Sequence, residues 1–355
     1  MARQAKIKDI ARMAGVSAGT VDRILHNRGN VSESSRKAVE KVLDEVGYRF
    51  NIHTSAVSLR KEYNIIISMP TASLGEYWGS IQEGIEHALH EYSDISIDCR
   101  YSFYNQFDVY SCRAAFDSII GCSPDAVIIG PTFIEETKEL CSRLSDKNIP
   151  FVFVDSVIEG TSPIATFTTD QYACGFLLGK MLHSITHDDG EFAIFRNQRV
   201  GNRSANNSME RKKGFTDYFK GIGLKDRIHE TSFSVLDPSG NEKDILDFLK
   251  RYPAIRGIAA LNSRGYIIAD ILGRIGAGHV RTISFDLTSN NARCVRDGKI
   301  EALLCQRPAL QGFLAVKTAI RYLLYNRTDM PLHTLMPIDI IMKQNIDYYR
   351  EFIEI

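Results

Sequence analysis

From Tyr63 onward, short apolar runs rich in β-formers alternate with amphipathic helical stretches, and that alternation limits the fold more than any other feature. Asn64–Met69, Ile95–Arg100, Ala126–Ile129, Pro150–Asp155 and Glu191–Arg196 read as strands. Trp78–Tyr92, Val109–Ile120, Glu135–Asp146, Asp170–Ser184 and Glu210–Gly221 read as the helices between them. The pattern continues through strand Gly257–Leu261, helix Tyr266–Ile275, strands Thr282–Asp286 and Ala302–Cys305, helix Gly312–Tyr325 and a last strand, Ile338–Lys343. Strands linked in this way lie parallel and are covered by helices on both faces. The roughly 290 residues involved exceed what one such sheet needs, so two lobes are expected. Polar residues at the carboxyl ends of the strands would then line a cleft between them.

The segment before Tyr63 has a different grammar. Lys8 to Ala14 puts Ile10, Ala11 and Ala14 on one helical face. Gly15-Val16-Ser17 interrupts it, and Ser17 is placed to cap a second helix from Ala18 to Leu25. A polar stretch, His26 to Asn30, leads to Ser32, which caps a third helix with Val39, Val42, Leu43 and Val46 at helical spacing. Gly47 ends it, and 48–61 reads as a linker able to become helical. Two short helices joined by a glycine turn and a capping serine form the helix-turn-helix pattern of DNA-reading modules.

Charge is divided unevenly. Residues 1–61 carry twelve Lys/Arg against six Asp/Glu, a balance of +6, while the remainder carries 31 against 37. A basic head on an acidic body fits a chain whose head alone meets phosphate. Seven scattered cysteines without a CxxC pair point to reduced, mostly buried thiols rather than a redox or metal centre. No apolar run reaches the roughly 20 residues of a membrane span, and no leader pattern opens the sequence. The expected place is the cytosol, and no cofactor or metal is expected.

On these residues the chain resembles the LacI family of bacterial transcription regulators over essentially its whole length. The match is specific in Ile7-Lys8-Asp9-Ile10-Ala11, Ala14-Gly15-Val16-Ser17, Thr20-Val21, Arg23-Ile24-Leu25, Val31-Ser32 and Arg36. The resemblance implies an all-α three-helix DNA-binding head with a hinge segment. It is joined to an α/β core of two parallel-sheet lobes, like the periplasmic sugar-binding proteins of the ribose type. The expected division is 1–48 for the head, 49–61 for the hinge and 62–355 for the effector-binding and dimerisation domain. Lobe one would take 62–160 and 307–330; lobe two would take 161–306 and 331–355.

The resemblance also implies an effector site. Tyr77 and Trp78 stand where sugar binders stack an aromatic pair on the sugar face. Asp155 ends one β-run, Asp286 ends another, and Asn262 follows a third. Arg211 opens an Arg-x-x-Gly-Phe motif, Gln306 precedes Arg307-Pro308, and Asp170 and Arg196 complete the set. Carboxylates, amides and an arginine supply the paired donors and acceptors that vicinal hydroxyls need, and sugar C–H faces pack on aromatics. Each residue also has a plainer reading: Tyr77 and Trp78 as core aromatics, Asp155, Asp170 and Asp286 as helix caps, Arg211 as a surface helix residue.

In the family the second helix enters the major groove. The matching first positions are Ala18 and Gly19, which have almost nothing with which to bond a base edge. Polar readout then falls to Arg23 and to Asn30. Asp22 replaces the family's usual small hydroxyl residue; it either reads a cytosine amino group, orients an arginine or points away from DNA. Ser17, Thr20, Asn27, Ser32 and Ser35 are placed as phosphate clamps. The hinge reads Tyr48-Arg49-Phe50-Asn51, with Phe50 where the family has proline, and Val57 or Leu59 falls at the position of the minor-groove wedge.

The expected protein is a homodimeric, sequence-specific regulator, a repressor by default, bound to double-stranded operator DNA. A monosaccharide, sugar acid or polyol between the lobes would control it. The competing readings are a sugar receptor for transport without gene regulation, and a regulator with a purine effector. An enzyme is not expected, since no nucleophile–base pair or phosphate loop stands out; Gly273-x-x-Gly276-x-Gly278 is a weak match.

Overall fold

The computed structural model describes residues 7–25, 31–45, 62–71, 73–186, 190–197, 206–326 and 330–351. Its first part is a three-helix unit: α1 (Ile7–Met13), α2 (Ala18–Leu25) and α3 (Glu33–Glu45). Ile10, Ala11, Val21, Ile24, Val39 and Val42 form its core. Gly15 takes φ +66° in the turn, a conformation costly for other residues. Ser17 Oγ accepts from the Thr20 amide at 3.0 Å and Ser32 Oγ from the Ser35 amide at 3.2 Å. Both serines therefore cap helices as the sequence suggests.

The body holds two six-stranded sheets. In chain order the first lobe begins with β1 (Tyr63–Pro70), α4 (Tyr77–Glu91), β2 (Ile97–Tyr104), α5 (Val109–Gly121) and β3 (Ala126–Ile129). It continues with α6 (Ile134–Asp146), β4 (Phe151–Asp155) and β5 (Ala165–Thr168). The second holds α7 (Gln171–Thr186), β6 (Glu191–Asn197), α8 (Asn206–Gly221), β7 (Ile228–Phe233), α9 (Asn241–Arg251) and β8 (Ile255–Ala260). Then come α10 (Gly265–Arg274), β9 (Arg281–Phe285), α11 (Ser289–Arg296) and β10 (Ala302–Cys305). Helix α12 (Pro308–Tyr325) and β11 (His333–Leu335) return to the first lobe, and β12 (Asp339–Ile341) closes the second.

The strand orders match: β11-β5-β4-β3-β1-β2 in one lobe, β12-β10-β9-β8-β6-β7 in the other. All ladders are parallel except β10 with β12. Burial on both faces explains the continuous apolar strands. In β4, Val152 and Val154 enter one core cluster with Ile81 and Ile85, while Phe151 and Phe153 enter the other with Leu140 and Leu144.

The lobe boundaries expected from sequence need correction. Ala165–Thr168 pairs with β4, and His333–Leu335 pairs with β5, so both belong to the first lobe rather than the second. The chain crosses between lobes at 169–170, 306–307 and 336–338. Unlike the equally short Ala-Val-Ile-Ile of β3 and Ala-Leu-Leu-Cys of β10, Ala-Thr-Phe-Thr of β5 and His-Thr-Leu of β11 are too polar to stand out as apolar runs. The hinge residues 49–61, including Val57 and Leu59, lie outside the described residues, as do Asn27 and Asn30.

Helices α7 and α8 meet at closest approach through glycine. A Cβ on Gly175 would stand 1.9 Å from the Arg211 carbonyl oxygen, and one on Gly214 would stand 2.0 Å from that of Tyr172. This contact sets the depth of α8 and so carries Arg211 toward the cleft.

Candidate ligand-binding site

The cleft between the lobes is built from strand ends. Asp155 closes β4, Asp286 follows β9 and Gln306 follows β10; all three are buried, at 7%, 4% and 1% exposure. Arg211, 5% exposed, reaches in from α8. The Arg211 guanidinium donates from Nε to Gln171 Oε1 at 2.7 Å, from Nη1 to the Leu261 carbonyl at 2.8 Å and from Nη2 to Gln306 Oε1 at 2.8 Å. It lies over the Phe285 ring, 3.9 Å from Cζ to the centroid. Gln306 Nε2 then donates to both Asp286 oxygens at 3.0 and 3.2 Å. Gln306 thus has a fixed amide orientation, with its oxygen toward the cation and its nitrogen toward the carboxylate.

A second network holds Asp155. The Tyr77 hydroxyl donates to Oδ1 at 2.6 Å and Asn207 Nδ2 donates to Oδ2 at 2.8 Å. Its backbone amide donates to Gln311 Oε1 at 2.9 Å, and Gln311 Nε2 donates to the Gln306 carbonyl at 2.9 Å. Asn207 and Gln171 lie in the second lobe and Gln311 in the first, so this network ties the crossovers together.

Burial dominates the electrostatics. It pushes Asp286 up to about 7 against the pull of Arg211 and Gln306. It also raises Asp155, against the Tyr77 hydroxyl, Arg211, Ser156 and Asn207, and it raises Tyr77 so that the phenol keeps its proton. Two carboxylates facing one arginine, with Asp286 titrating near neutrality, give a site able both to accept and to donate hydrogen bonds.

The cavity is about 90 Å³. Tyr77, Trp78, Asp155, Arg196, Arg211, Asn262, Asp286 and Gln306 all border it. Tyr77 and Trp78 meet edge-on, with ring centroids 5.3 Å apart. Arg196 is tied to Glu230, which also pairs with Lys212. Asn262 Oδ1 accepts from the Arg264 amide at 2.8 Å. Asp170 is the correction: it is exposed, and its Oδ1 accepts from the Ala173 amide at 2.8 Å. It caps α7 and borders a different cavity, because its short β5 strand delivers it to the crossover rather than to the cleft.

Sequence reading missed Gln171, Asn207 and Gln311. Asn207 stands one helical turn before Arg211 on the same face, but the helix is read from sequence only from Glu210 and actually begins at Asn206. No group of three or more His, Cys, Asp or Glu among the described residues is arranged to hold a metal.

In the head, Ala18, Gly19 and Arg23 are exposed on α2 and Asp22 is half-buried. Arg23 Nε donates back to the Gly19 carbonyl at 3.2 Å. Ser17 Oγ lies 2.8 Å from Thr20 Oγ1 and Ser32 Oγ donates to Ser35 Oγ at 2.9 Å, so these hydroxyls are engaged within the head.

Residues 65–326 match the periplasmic binding protein domain family and residues 6–51 match bacterial regulatory proteins of the lacI family. The HTH-type transcriptional regulator DegA of Bacillus subtilis is 25% identical over 285 residues, covering 76% of this chain and 80% of DegA. The crystal structure of a Bacteroides fragilis protein assigned to the LacI transcriptional regulators superposes with a TM-score of 0.77 at 30% identity, covering 82% of this chain and all of that one. GanP, a glucose-galactose binding protein from Geobacillus stearothermophilus, shares the fold with a TM-score of 0.69 at 21% identity, over 81% of this chain and 99% of GanP.

Proposed function

The chain belongs to the LacI family of bacterial regulatory proteins, and from that premise we propose that it is a homodimeric repressor released from operator DNA by a small polyhydroxylated effector. The observation that carries the reading is the buried set Asp155, Asp286 and Gln306 at the strand ends of both lobes, with Arg211 reaching in from α8. Such a set matches a ligand with several vicinal hydroxyls, each needing a donor and an acceptor. The Tyr77–Trp78 pair offers a wall for the C–H face of a sugar ring.

The effector works by closing the lobes. It bridges Asp155 in the first lobe and Asp286 with Arg211 in the second, so its binding energy favours the closed arrangement. That changes the spacing of the two DNA-binding heads in the dimer, and with it the population able to grip DNA. Helix α2 enters the major groove with Ala18 and Gly19 allowing close approach and Arg23 reading a base. No helix among the described residues is long and apolar enough to cross a membrane, and the working place proposed is the cytosol.

The test is a thermal-shift screen of the full chain against sugars, polyols, sugar acids and nucleobases, followed by a gel shift on a palindromic probe at increasing salt. A neutral sugar that raises Tm, and DNA binding that falls with salt, are expected. A shift with nucleobases alone overturns the effector class, and no retardation of any duplex overturns the regulator.

A further inference from the structure

The segment 342–351, after β12, starts on the second lobe and reaches back to the first. Ile346 is buried with Val295, Leu303 and Ile341, and Asp347 pairs with Arg296 of α11 at 3.0 Å. These contacts fix the segment to the second lobe. Five residues on, Glu351 Oε2 accepts from the Ala309 amide of α12, in the first lobe, at 2.8 Å. That amide lies in the first turn of the helix, where backbone donors have no partner within the helix. The cap residue, Arg307, makes no side-chain bond to its own helix, so Glu351 supplies one from outside.

A clamp stands beside this contact. Arg307, at the crossover between β10 and α12, has φ +52°, a left-handed conformation that persists only where its surroundings hold it. Its guanidinium donates to Asp339 from Nε at 2.7 Å and from Nη2 at 3.0 Å, and the Tyr349 hydroxyl donates to Asp339 Oδ2 at 3.2 Å. The crossovers at 306–307 and 336–338 are thus pinned to each other and to the segment that carries Glu351.

The segment is not packed as core. Tyr348 is 83% exposed. Tyr349 and Glu351 border a cavity of about 410 Å³ that Ser80, Glu83 and His87 of α4 also line. A segment held by a few bonds beside a cavity can detach without unfolding either lobe. The arrangement it secures is a closed one: at the cleft mouth the Ser289 amide of α11 donates to the Gly75 carbonyl of the first lobe at 2.8 Å.

We infer that residues 342–351 form a releasable strap across the hinge, with Glu351 as its catch, and that the strap biases the two lobes toward closure before any ligand binds. This goes beyond the effector reading given above and holds whatever the ligand is. A ligand that favours closed lobes meets a chain partly prepared for it, and its apparent affinity rises with the closed fraction.

The test needs no ligand. Trp78 is the only tryptophan, lines the cleft and is 6% exposed, so acrylamide quenching of its fluorescence in the full chain reads cleft opening. Glu351→Ala should raise the quenching constant about twofold or more and enlarge the radius of gyration in small-angle scattering. Glu351→Gln keeps an acceptor oxygen for the Ala309 amide and should stay at the wild-type value. Tyr349→Phe, which removes one hydroxyl and keeps the ring, should fall between. Wild-type quenching in folded Glu351→Ala and Tyr349→Phe overturns the strap. So does an equal rise in Glu351→Gln and Glu351→Ala, or a rise without any growth in radius, which would place the change in α4 alone. If Glu351→Ala does not fold, Tyr349→Phe against wild type decides.

Discussion

Asp155 and Asp286 hold equivalent places in the two lobes. Counted from β11 and β12, each stands at the carboxyl end of the third strand of its sheet, and each has a positive φ, +73° and +61°. Asparagine tolerates this left-handed conformation. Asp155→Asn and Asp286→Asn should therefore keep the fold and lose charge-assisted bonds to the ligand. A loss of about 10- to 100-fold in effector affinity is expected for each, measured by calorimetry, with Tm not lowered by more than a few degrees. Unchanged affinity in both would remove these carboxylates from the site.

Burial raises Asp286 to about 7, which fixes a pH signature. Between the free-aspartate range near 4 and about 7 the folded chain holds a proton that the unfolded chain releases. Raising pH through that window favours unfolding, and the effect is complete above it. Glu351, also raised to about 7 by burial, acts in the same window, so the wild-type curve alone does not isolate Asp286. The stability of Asp286→Asn relative to wild type should climb from pH 4 to 7 and then level, read by urea titration at several pH values. Ligand binding runs the other way: the ionised carboxylate accepts a hydroxyl better. The effector Kd should tighten several-fold from pH 6 to 8 in wild type and stay flat in Asp286→Asn.

Gly175→Ala would place a Cβ 1.9 Å from the Arg211 carbonyl oxygen, which forces α7 and α8 apart. A destabilisation of about 1–3 kcal/mol is expected, with weakened effector binding because Arg211 moves with its helix. Gly221→Ala at the end of α8 meets nothing within 4 Å and serves as the control, neutral or slightly stabilising. Equal behaviour of the two in chemical denaturation would show that the helix contact does not set the site.

In the head, Arg23→Ala should relax preference at one operator position by about 1–3 kcal/mol while binding to unrelated duplex changes little. Ser17→Ala removes the cap on the Thr20 amide and should destabilise the head by about 1 kcal/mol. Competition binding with single-base operator variants separates the two, since a lost cap weakens every sequence alike.

Much of this arrangement was legible in the sequence. Asp155 and Asp286 each follow an apolar run, and a polar residue ending a doubly buried strand has to face the cleft. Asp170 carries the same local signal but caps α7, because β5 is a four-residue strand that ends at a crossover. Gln171 and Gln311 were illegible for a related reason. Each matters only because the chain returns between lobes beside Asp155, a contact that no local pattern encodes. The contact between Gly75 and Ser289 across the lobes was likewise hidden, since the two are far apart in sequence.

One ligand, held by Asp155, Asp286 and Arg211, is proposed to control the hold on DNA. The most direct measurement is fluorescence anisotropy of the full chain on an operator selected from random duplexes, titrated with the sugar that raises Tm, for wild type and Asp286→Asn. Saturating sugar is expected to weaken operator binding at least tenfold in wild type, with the midpoint shifted to higher sugar in the variant. Operator affinity unchanged by a sugar that demonstrably occupies the cleft would contradict it.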